Sequence, residues 1–276
     1  MFWRRTVLVC MALMLLIPVA LAEERLNVLL IGVDQAQSGQ NGRSDTMMLA
    51  SIDPAQGSVR LVSFLRDLYV PIPGHGRSRL NAAYFYGGER LLKETLEKQF
   101  GVTIDRTVTV RFSVLEELVN QLGGIEIELE EKERVHLNRL LEEAGLTNEV
   151  LTQAGIQRLN GRQALMYSRI RKIDDDFHRT SRQQTVIAAM LGQMAGMSRW
   201  ELFRLAVSHL NKVDTDLSIG DLSRLAPLFG KLSDLKIQTA HVPFEGTFSD
   251  ETVNGMMVLQ ANTEANRRKL EAFLAE

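Results

Sequence analysis

The chain has 276 residues, with 32 basic and 34 acidic side chains and a net charge of -2. Hydrophobic residues make up 45% and charged residues 24%, which excludes a predominantly disordered chain because disorder needs low hydrophobicity and high net charge. A single cysteine excludes a disulfide scaffold, and the near-neutral charge argues against a nucleic-acid partner.

Residues 1–22 have the layout of a secretory signal. Arg4 and Arg5 form a basic start, an uncharged apolar stretch follows, and Ala20-Leu21-Ala22 is a small-residue cleavage site. The alternative is an uncleaved signal anchor, since the apolar stretch is at the short limit of a membrane span. In both cases we expect residues 25–276 to lie outside the cytoplasm, in the cell envelope, either anchored to the membrane or secreted after cleavage.

Strand and helix patterns alternate after the signal, which predicts one α/β domain over residues 25–276. Connections of mixed length favour a mixed sheet over a strictly parallel one. The predicted strands cover residues 25–33, 46–52, 58–65, 106–111, 125–129 and 235–242. The predicted helices cover residues 87–100, 113–122, 160–171, 177–197, most of 200–233, and 263–273, with Ser113 and Glu116 as a capping box at the start of the second.

Arginine is concentrated in one segment, and this is the strongest chemical signal. Six of the 24 arginines lie within residues 158–182. Arg158 and Arg162 fit a solvated helix face, whereas Arg179, Arg182 and Gln183 are three and four residues apart on one predicted helix and share a face. A helix N-terminus with two guanidinium groups favours a phosphate-like anion.

Three aspartates, Asp174 to Asp176, precede the same helix. Asp176 is the expected N-cap, which is a purely structural role. The alternative is that Asp176 or Asp174, close to so many arginines, accepts a proton from an attacking hydroxyl.

A second cluster is predicted where the first three strands meet. If these strands form an up-down-up meander, one edge of the sheet carries the charged residues Asp34, Arg43, Asp45, Arg66 and Asp67. Two carboxylates at this edge suit Mg²⁺, which takes few protein carboxylates together with phosphate oxygens. The alternative is that the aspartates cap loops and pair with Arg43. Because P-loop, dinucleotide-binding, zinc-protease and serine-hydrolase motifs are absent, the pattern suggests a diphosphate bridged to a metal.

At this point the chain resembles the LytR-CpsA-Psr family of cell-wall glycopolymer ligases over nearly the whole exported domain. Ordered motifs at family-like spacing carry the resemblance. They are N-V-L-L-I-G-V-D (27–34), R-S-D-T-M-M-L-A-S-I-D (43–53), L-V-S-F-L-R-D (61–67), R-L-N-A-A-Y-F-Y-G-G (79–88), L-V-N-Q-L-G-G-I (118–125), L-N-G-R-Q-A-L-M-Y-S-R-I-R (159–171) and D-D-D-F-H-R-T-S-R-Q-Q (174–184).

The resemblance implies an α/β/α sandwich with a central mixed sheet and a Mg²⁺-dependent phosphotransferase. Its substrate would be a polyprenyl-diphosphate-linked glycopolymer, such as teichoic acid or capsule, held at the membrane surface with its lipid in an apolar tunnel. Its acceptor would be a peptidoglycan hydroxyl, and the products a phosphodiester and polyprenyl phosphate. The implied residues are Asp34 and Asp45 for Mg²⁺, and Arg66, Arg169, Arg171, Arg179 and Gln183 for the diphosphate, with Arg43 and Arg182 nearby. For catalysis we expect Arg66 and Arg179 to neutralise the diphosphate and Asp176, or alternatively Asp174, to act as the base.

Two other functions remain open at the level of sequence. A polyprenyl-diphosphate pyrophosphatase would use the same site with water as the acceptor. A protein that binds a wall polymer or a lipid diphosphate without catalysis is the third hypothesis, although such a protein would not need carboxylates for Mg²⁺.

Overall fold

The computed structural model describes residues 25–33, 42, 44–171, 173–209 and 212–276. The predictions made for the signal segment 1–22, for Asp34 and for Arg43 concern residues outside these ranges. Within the described ranges, no helix is both long enough and apolar enough to span a membrane.

Strands and helices alternate along most of the described chain. The strands are β1 (Leu26–Val33), β2 (Ser44–Asp53), β3 (Ser58–Phe64), β4 (Tyr69–Ile72), β5 (Gly76–Arg79), β6 (Arg106–Arg111), β7 (Ile125–Leu129), β8 (Gly155–Leu159), β9 (Asp214–Thr215), β10 (Lys236–Val242), β11 (Phe248–Val253) and β12 (Met256–Ala261). The α-helices are α1 (Asn81–Phe100), α2 (Phe112–Gln121), α3 (Glu131–Glu143), α4 (Gly161–Ser168), α5 (Asp176–Ala195), α6 (Arg199–His209), α7 (Ile219–Leu225) and α8 (Thr263–Ala275).

A six-stranded sheet forms the centre of the domain, in the order β10-β3-β2-β1-β6-β9. β2 runs antiparallel to both β1 and β3, which confirms the predicted meander. β6 is parallel to β1 and β10 is parallel to β3, so the sheet is mixed, as predicted. β4–β5, β7–β8 and β11–β12 form separate two-stranded antiparallel pairs.

Side-chain alternation along the central strands produces two cores, one on each face of the sheet. In β1, Leu29 and Ile31 belong to a core that includes residues of α1 and α8, such as Leu92 and Leu270. Leu30 packs on the opposite face, in a cluster that includes Ile187 of α5. Helices therefore cover both faces, which confirms the α/β/α sandwich.

Two predicted helix caps differ from the structure, and the helix predicted over residues 87–100 already begins at Asn81. The N-cap of α5 is Asp175, whose side chain accepts a hydrogen bond from the His178 N–H at 3.0 Å, so the prediction of Asp176 as the cap is wrong by one residue. The predicted Ser113–Glu116 capping box is also wrong, because β6 runs directly into α2 and Arg111 is the N-cap, with no side-chain cap bond.

The N-terminus of α4 lies directly against the backbone of α2. A Cβ at Gly161 would lie 2.0 Å from the carbonyl oxygen of Glu116, and the Gly161 N–H donates to Asn120 Oδ1 at 2.8 Å. Glycine is therefore required here by the close approach of the two helices. The helix that follows leads into Arg169 and Arg171, so this contact helps to position two predicted site residues.

We expect Gly161→Ala to destabilise the domain by about 1–3 kcal/mol, because the added methyl overlaps backbone atoms that cannot move aside as a side chain would. Urea unfolding measures the change. Gly192→Ala is the matched control, since Gly192 lies exposed within α5 and an added Cβ there meets nothing within 4 Å. The control should be neutral or stabilising by up to about 1 kcal/mol. Equal stability of the two variants would contradict the assigned contact.

Candidate active site

Three charged residues meet at the end of the sheet where β2 starts and β3 ends. The guanidinium Nη1 of Arg66 lies 3.1 Å from Asp45 Oδ1, and its Nε lies 3.6 Å from Asp67 Oδ2. Antiparallel pairing of β2 with β3 brings these residues together, although Asp45 and Arg66 are 21 positions apart in the chain. Of the residues predicted at this edge, the structure describes Asp45, Arg66 and Asp67, and it brings these three together.

The segment between α4 and α5 adds charged residues from the opposite side. Arg171 Nη2 lies 3.3 Å from Asp45 Oδ1, and Asp176 Oδ1 lies 3.8 Å from Arg66 Nε. Arg179, one turn into α5, contacts Asp176 Oδ2 through Nη2 at 2.9 Å. The two arginine-containing regions predicted from sequence thus form one cluster, which we call the arginine cluster: Asp45, Arg66, Asp67, Arg171, Asp176 and Arg179.

Arg179 is the most deeply buried charge of this cluster, with 1% of its side chain exposed. Its Nε and Nη1 have no hydrogen-bond partner within the described part of the chain. Burial lowers the pKa of Arg179 to about 10, and burial raises the pKa of Asp176 although Arg179 and Arg66 act in the opposite direction. Two unused guanidinium donors on a buried cation, next to other arginines, suit an anion that accepts from both.

An apolar cavity lies between the sheet and α2, α4 and α5. Its volume is about 160 Å³. Leu30 and Met48 line it from the sheet, Leu115 from α2, and Val186 and Met190 from α5. This is the position in which the resemblance places a lipid tunnel.

Gln183 and Arg169 connect the arginine cluster with this cavity. Gln183 lies one turn after Arg179 and lines the cavity, and its buried Oε1 accepts no hydrogen bond from the described residues. The guanidinium carbon of Arg169 lies 5.3 Å from the ring centroid of Phe112, another lining residue. Gln183 therefore lies at the cavity one helical turn from Arg179, and Arg169 lies beside a ring of the cavity wall.

Arg182 lies elsewhere, in a buried ion cluster. Its Nε donates to Glu133 Oε1 of α3 at 2.7 Å, and its Nη1 donates to Asp174 Oδ1 at 3.1 Å and to the Ile170 carbonyl at 3.3 Å. The structure thus does not bring Arg182 or Asp174 into contact with the residues of the arginine cluster. Arg182 is held away from the cluster by Glu133, which lies 49 positions away in the chain and is therefore not revealed by spacing along the sequence.

Arg79 is a charged neighbour that the sequence reasoning did not select. It follows the β4–β5 turn, and its Nη1 lies 3.2 Å from Asp67 Oδ1. The sequence signal that could have indicated Arg79 is its place at the start of the motif R-L-N-A-A (79–83). Among the residues that the structure describes, no group of three or more His, Cys, Asp or Glu side chains is arranged to hold a metal ion.

Comparison with known proteins identifies a family and individual proteins that this chain resembles. The family model LytR_cpsA_psr matches residues 16–273. The chain is 28% identical to the regulatory protein MsrR of Staphylococcus aureus over 257 residues, which covers 91% of this chain and 75% of MsrR. It is 35% identical to TagU of Enterococcus faecalis, named a polyisoprenyl-teichoic acid–peptidoglycan teichoic acid transferase, over 78% of this chain and 71% of TagU.

A solved structure has the same fold. The structure of TagT bound to LIIa-WTA superimposes with a TM-score of 0.75 at 26% identity, covering 94% of this chain and 95% of TagT.

Proposed function

This chain belongs to the LytR_cpsA_psr family, and from that membership we propose that it transfers a polyprenyl-diphosphate-linked glycopolymer to peptidoglycan outside the cytoplasm. The name of TagU supports a teichoic acid as the polymer class. The single observation that carries the proposal is the position of Arg179: a buried guanidinium with two unused donors, one helical turn from an apolar cavity.

The diphosphate would bind to the arginine cluster and the lipid would enter the apolar cavity. Arg179 directs Nε and Nη1 to the diphosphate, while Arg66 and Arg171, both held by Asp45, add positive charge on the opposite side. Arg169 and Gln183, whose Oε1 accepts no hydrogen bond from the described residues, would lie beside the lipid-linked phosphate. Bidentate guanidinium groups suit the planar recognition of phosphate oxygens.

We further propose that the reaction depends on Mg²⁺. Asp45 would supply a hard oxygen ligand, and Asp34, which follows β1 in the sequence, would supply a second, the small number of carboxylates that Mg²⁺ uses together with phosphate oxygens and water. Bound Mg²⁺ would neutralise charge on the diphosphate as a Lewis acid.

In the transfer step, a peptidoglycan hydroxyl oxygen forms a bond to the phosphorus that carries the polymer. The bond from this phosphorus to the bridging oxygen breaks, and polyprenyl phosphate leaves with the electron pair. Arg66 and Arg179 stabilise the charge that develops on the phosphoryl oxygens. Asp176 accepts the hydroxyl proton, for which its raised pKa is favourable because a general base works best when its pKa is near the working pH.

The proposed function is tested with a donor labelled in both its lipid and its glycan. We expect glycan label in peptidoglycan and lipid label in polyprenyl phosphate, in equal amounts, only when peptidoglycan is present. Chelation of Mg²⁺ should stop both products. Release of lipid phosphate at the same rate without peptidoglycan would instead establish the pyrophosphatase, and binding without any product would establish the non-catalytic binder.

A further inference from the structure

A second, polar groove lies between α3, the end of β7 and α5. Its volume is about 580 Å³. Tyr167 of α4 and Ser181 of α5 contribute to its wall, Thr185 and His178 line it from exposed positions of α5, and Lys132 lines it from α3. None of the roles assigned above uses this groove, apart from the buried Arg182–Glu133 pair in its wall.

The polar groove and the apolar cavity use different faces of the same helix. The cavity is lined by Gln183, Val186, Ile187 and Met190, whereas the groove is lined by His178, Ser181, Arg182 and Thr185. An α-helix completes one turn every 3.6 residues, so the centres of these two sets are roughly two fifths of a turn apart around the helix axis. The groove reaches the first turn of α5 at His178, two residues after Asp176.

This arrangement fits the geometry of phosphoryl transfer. The attacking and leaving oxygens lie roughly in line on opposite sides of the phosphorus. If the leaving lipid phosphate points into the apolar cavity, the attacking hydroxyl arrives from the other side of the phosphorus, and the polar groove lies on the other face of α5 and reaches its first turn at His178. We propose that this groove binds the sugar chain of the peptidoglycan acceptor, an inference that rests on the proposed function.

The charges of the groove select an uncharged sugar over a second anionic polymer. Glu133 is neutralised by Arg182, and Glu130 lies 3.0 Å from Lys132. Glu128 adds a further negative charge, so the lining has no positive excess and an anionic glycopolymer is repelled. The hydroxyl oxygen of Thr185, exposed on α5, and the ammonium group of Lys132 offer an acceptor and a donor to a neutral, hydroxyl-rich glycan.

The test fills the groove with a large side chain and measures acceptor and donor binding separately. In Thr185→Trp we expect the KM for soluble, polymer-free peptidoglycan glycan chains to rise by about tenfold or more, which corresponds to about 1.4 kcal/mol of lost binding. The dissociation constant for the lipid diphosphate should stay the same, because Thr185 lies outside the apolar cavity and the arginine cluster. Lys132→Trp, which fills the groove from the opposite wall, should raise the glycan KM in the same way. It replaces Thr185→Trp in the test if that variant does not fold.

Glu142→Trp is the matched control, since Glu142 is exposed near the other end of α3 and does not line the groove. It should leave both constants unchanged. An unchanged glycan KM in both groove variants, with a wild-type chain that transfers polymer, would overturn the acceptor site and leave the proposed function intact. A wild-type chain that binds donor but transfers nothing to peptidoglycan would overturn both.

Discussion

Replacement of Arg179 by alanine is expected to lower the rate of polymer transfer by about 10²- to 10³-fold, the effect of removing one pre-positioned donor from a transition-state site. Arg179 is buried, its Nε and Nη1 are unused among the described residues, and Asp176 fixes its Nη2. The group is therefore held in place before the substrate binds. The rate of phosphodiester formation at saturating peptidoglycan is the measurement.

Two further variants test whether the effect on the transfer rate is specific to the guanidinium group of Arg179. Arg179→Lys keeps a positive charge but lacks the planar fork, so we expect it to recover only part of the rate. Arg162→Ala is the control, because Arg162 is 45% exposed and pairs with Glu116 at 3.1 Å. It should transfer at close to the wild-type rate. Transfer at that rate by Arg179→Ala, with the variant folded, would remove Arg179 from the site.

Arg182→Ala is expected to destabilise the fold by about 3–5 kcal/mol, the usual cost of breaking a buried ion pair by removing one partner. The side chain of Arg182 is 4% exposed, and those of Glu133 and Asp174 are 10% and 9% exposed, so two carboxylates would be left without their cation. Urea unfolding measures the loss. Arg139→Ala removes an exposed pair with Glu143 on α3 and should cost at most about 0.5 kcal/mol.

The same variant decides between two roles for Arg182. The sequence places it near the diphosphate, whereas the structure gives it three acceptors: Glu133, Asp174 and the carbonyl of Ile170. Wild-type stability of Arg182→Ala together with a loss of donor affinity would favour the diphosphate role. A large loss of stability would establish that Arg182 holds the segment that carries Arg171.

Local patterns made the central sheet predictable. β1, β2 and β3 are apolar runs that follow one another in the chain, and a meander of three such strands brings Asp45 next to Arg66 without contacts from distant segments. The i, i+3 and i, i+4 spacing in α5 predicted one shared face for Arg179, Arg182 and Gln183, but the structure has Gln183 at the apolar cavity and Arg182 in the buried pair with Glu133.

Other features depend on contacts that no local pattern contains. α3 was not predicted, because charged residues interrupt the apolar period of Glu131–Glu143. Its residue Glu133 then determines the position of Arg182, 49 positions away. The β11–β12 hairpin did have a local signal, since Asn254 and Gly255 both have positive φ, the conformation that an Asn-Gly turn adopts readily.

The most direct test of the account is a crystal structure of this chain with a polyprenyl-diphosphate-linked glycan and Mg²⁺. The account predicts diphosphate oxygens within hydrogen-bond distance of Arg179 Nε and Nη1, a metal ion beside Asp45, and the lipid between the sheet and α5. A diphosphate bound away from Arg179, or a lipid outside the cavity lined by Val186 and Met190, would contradict it.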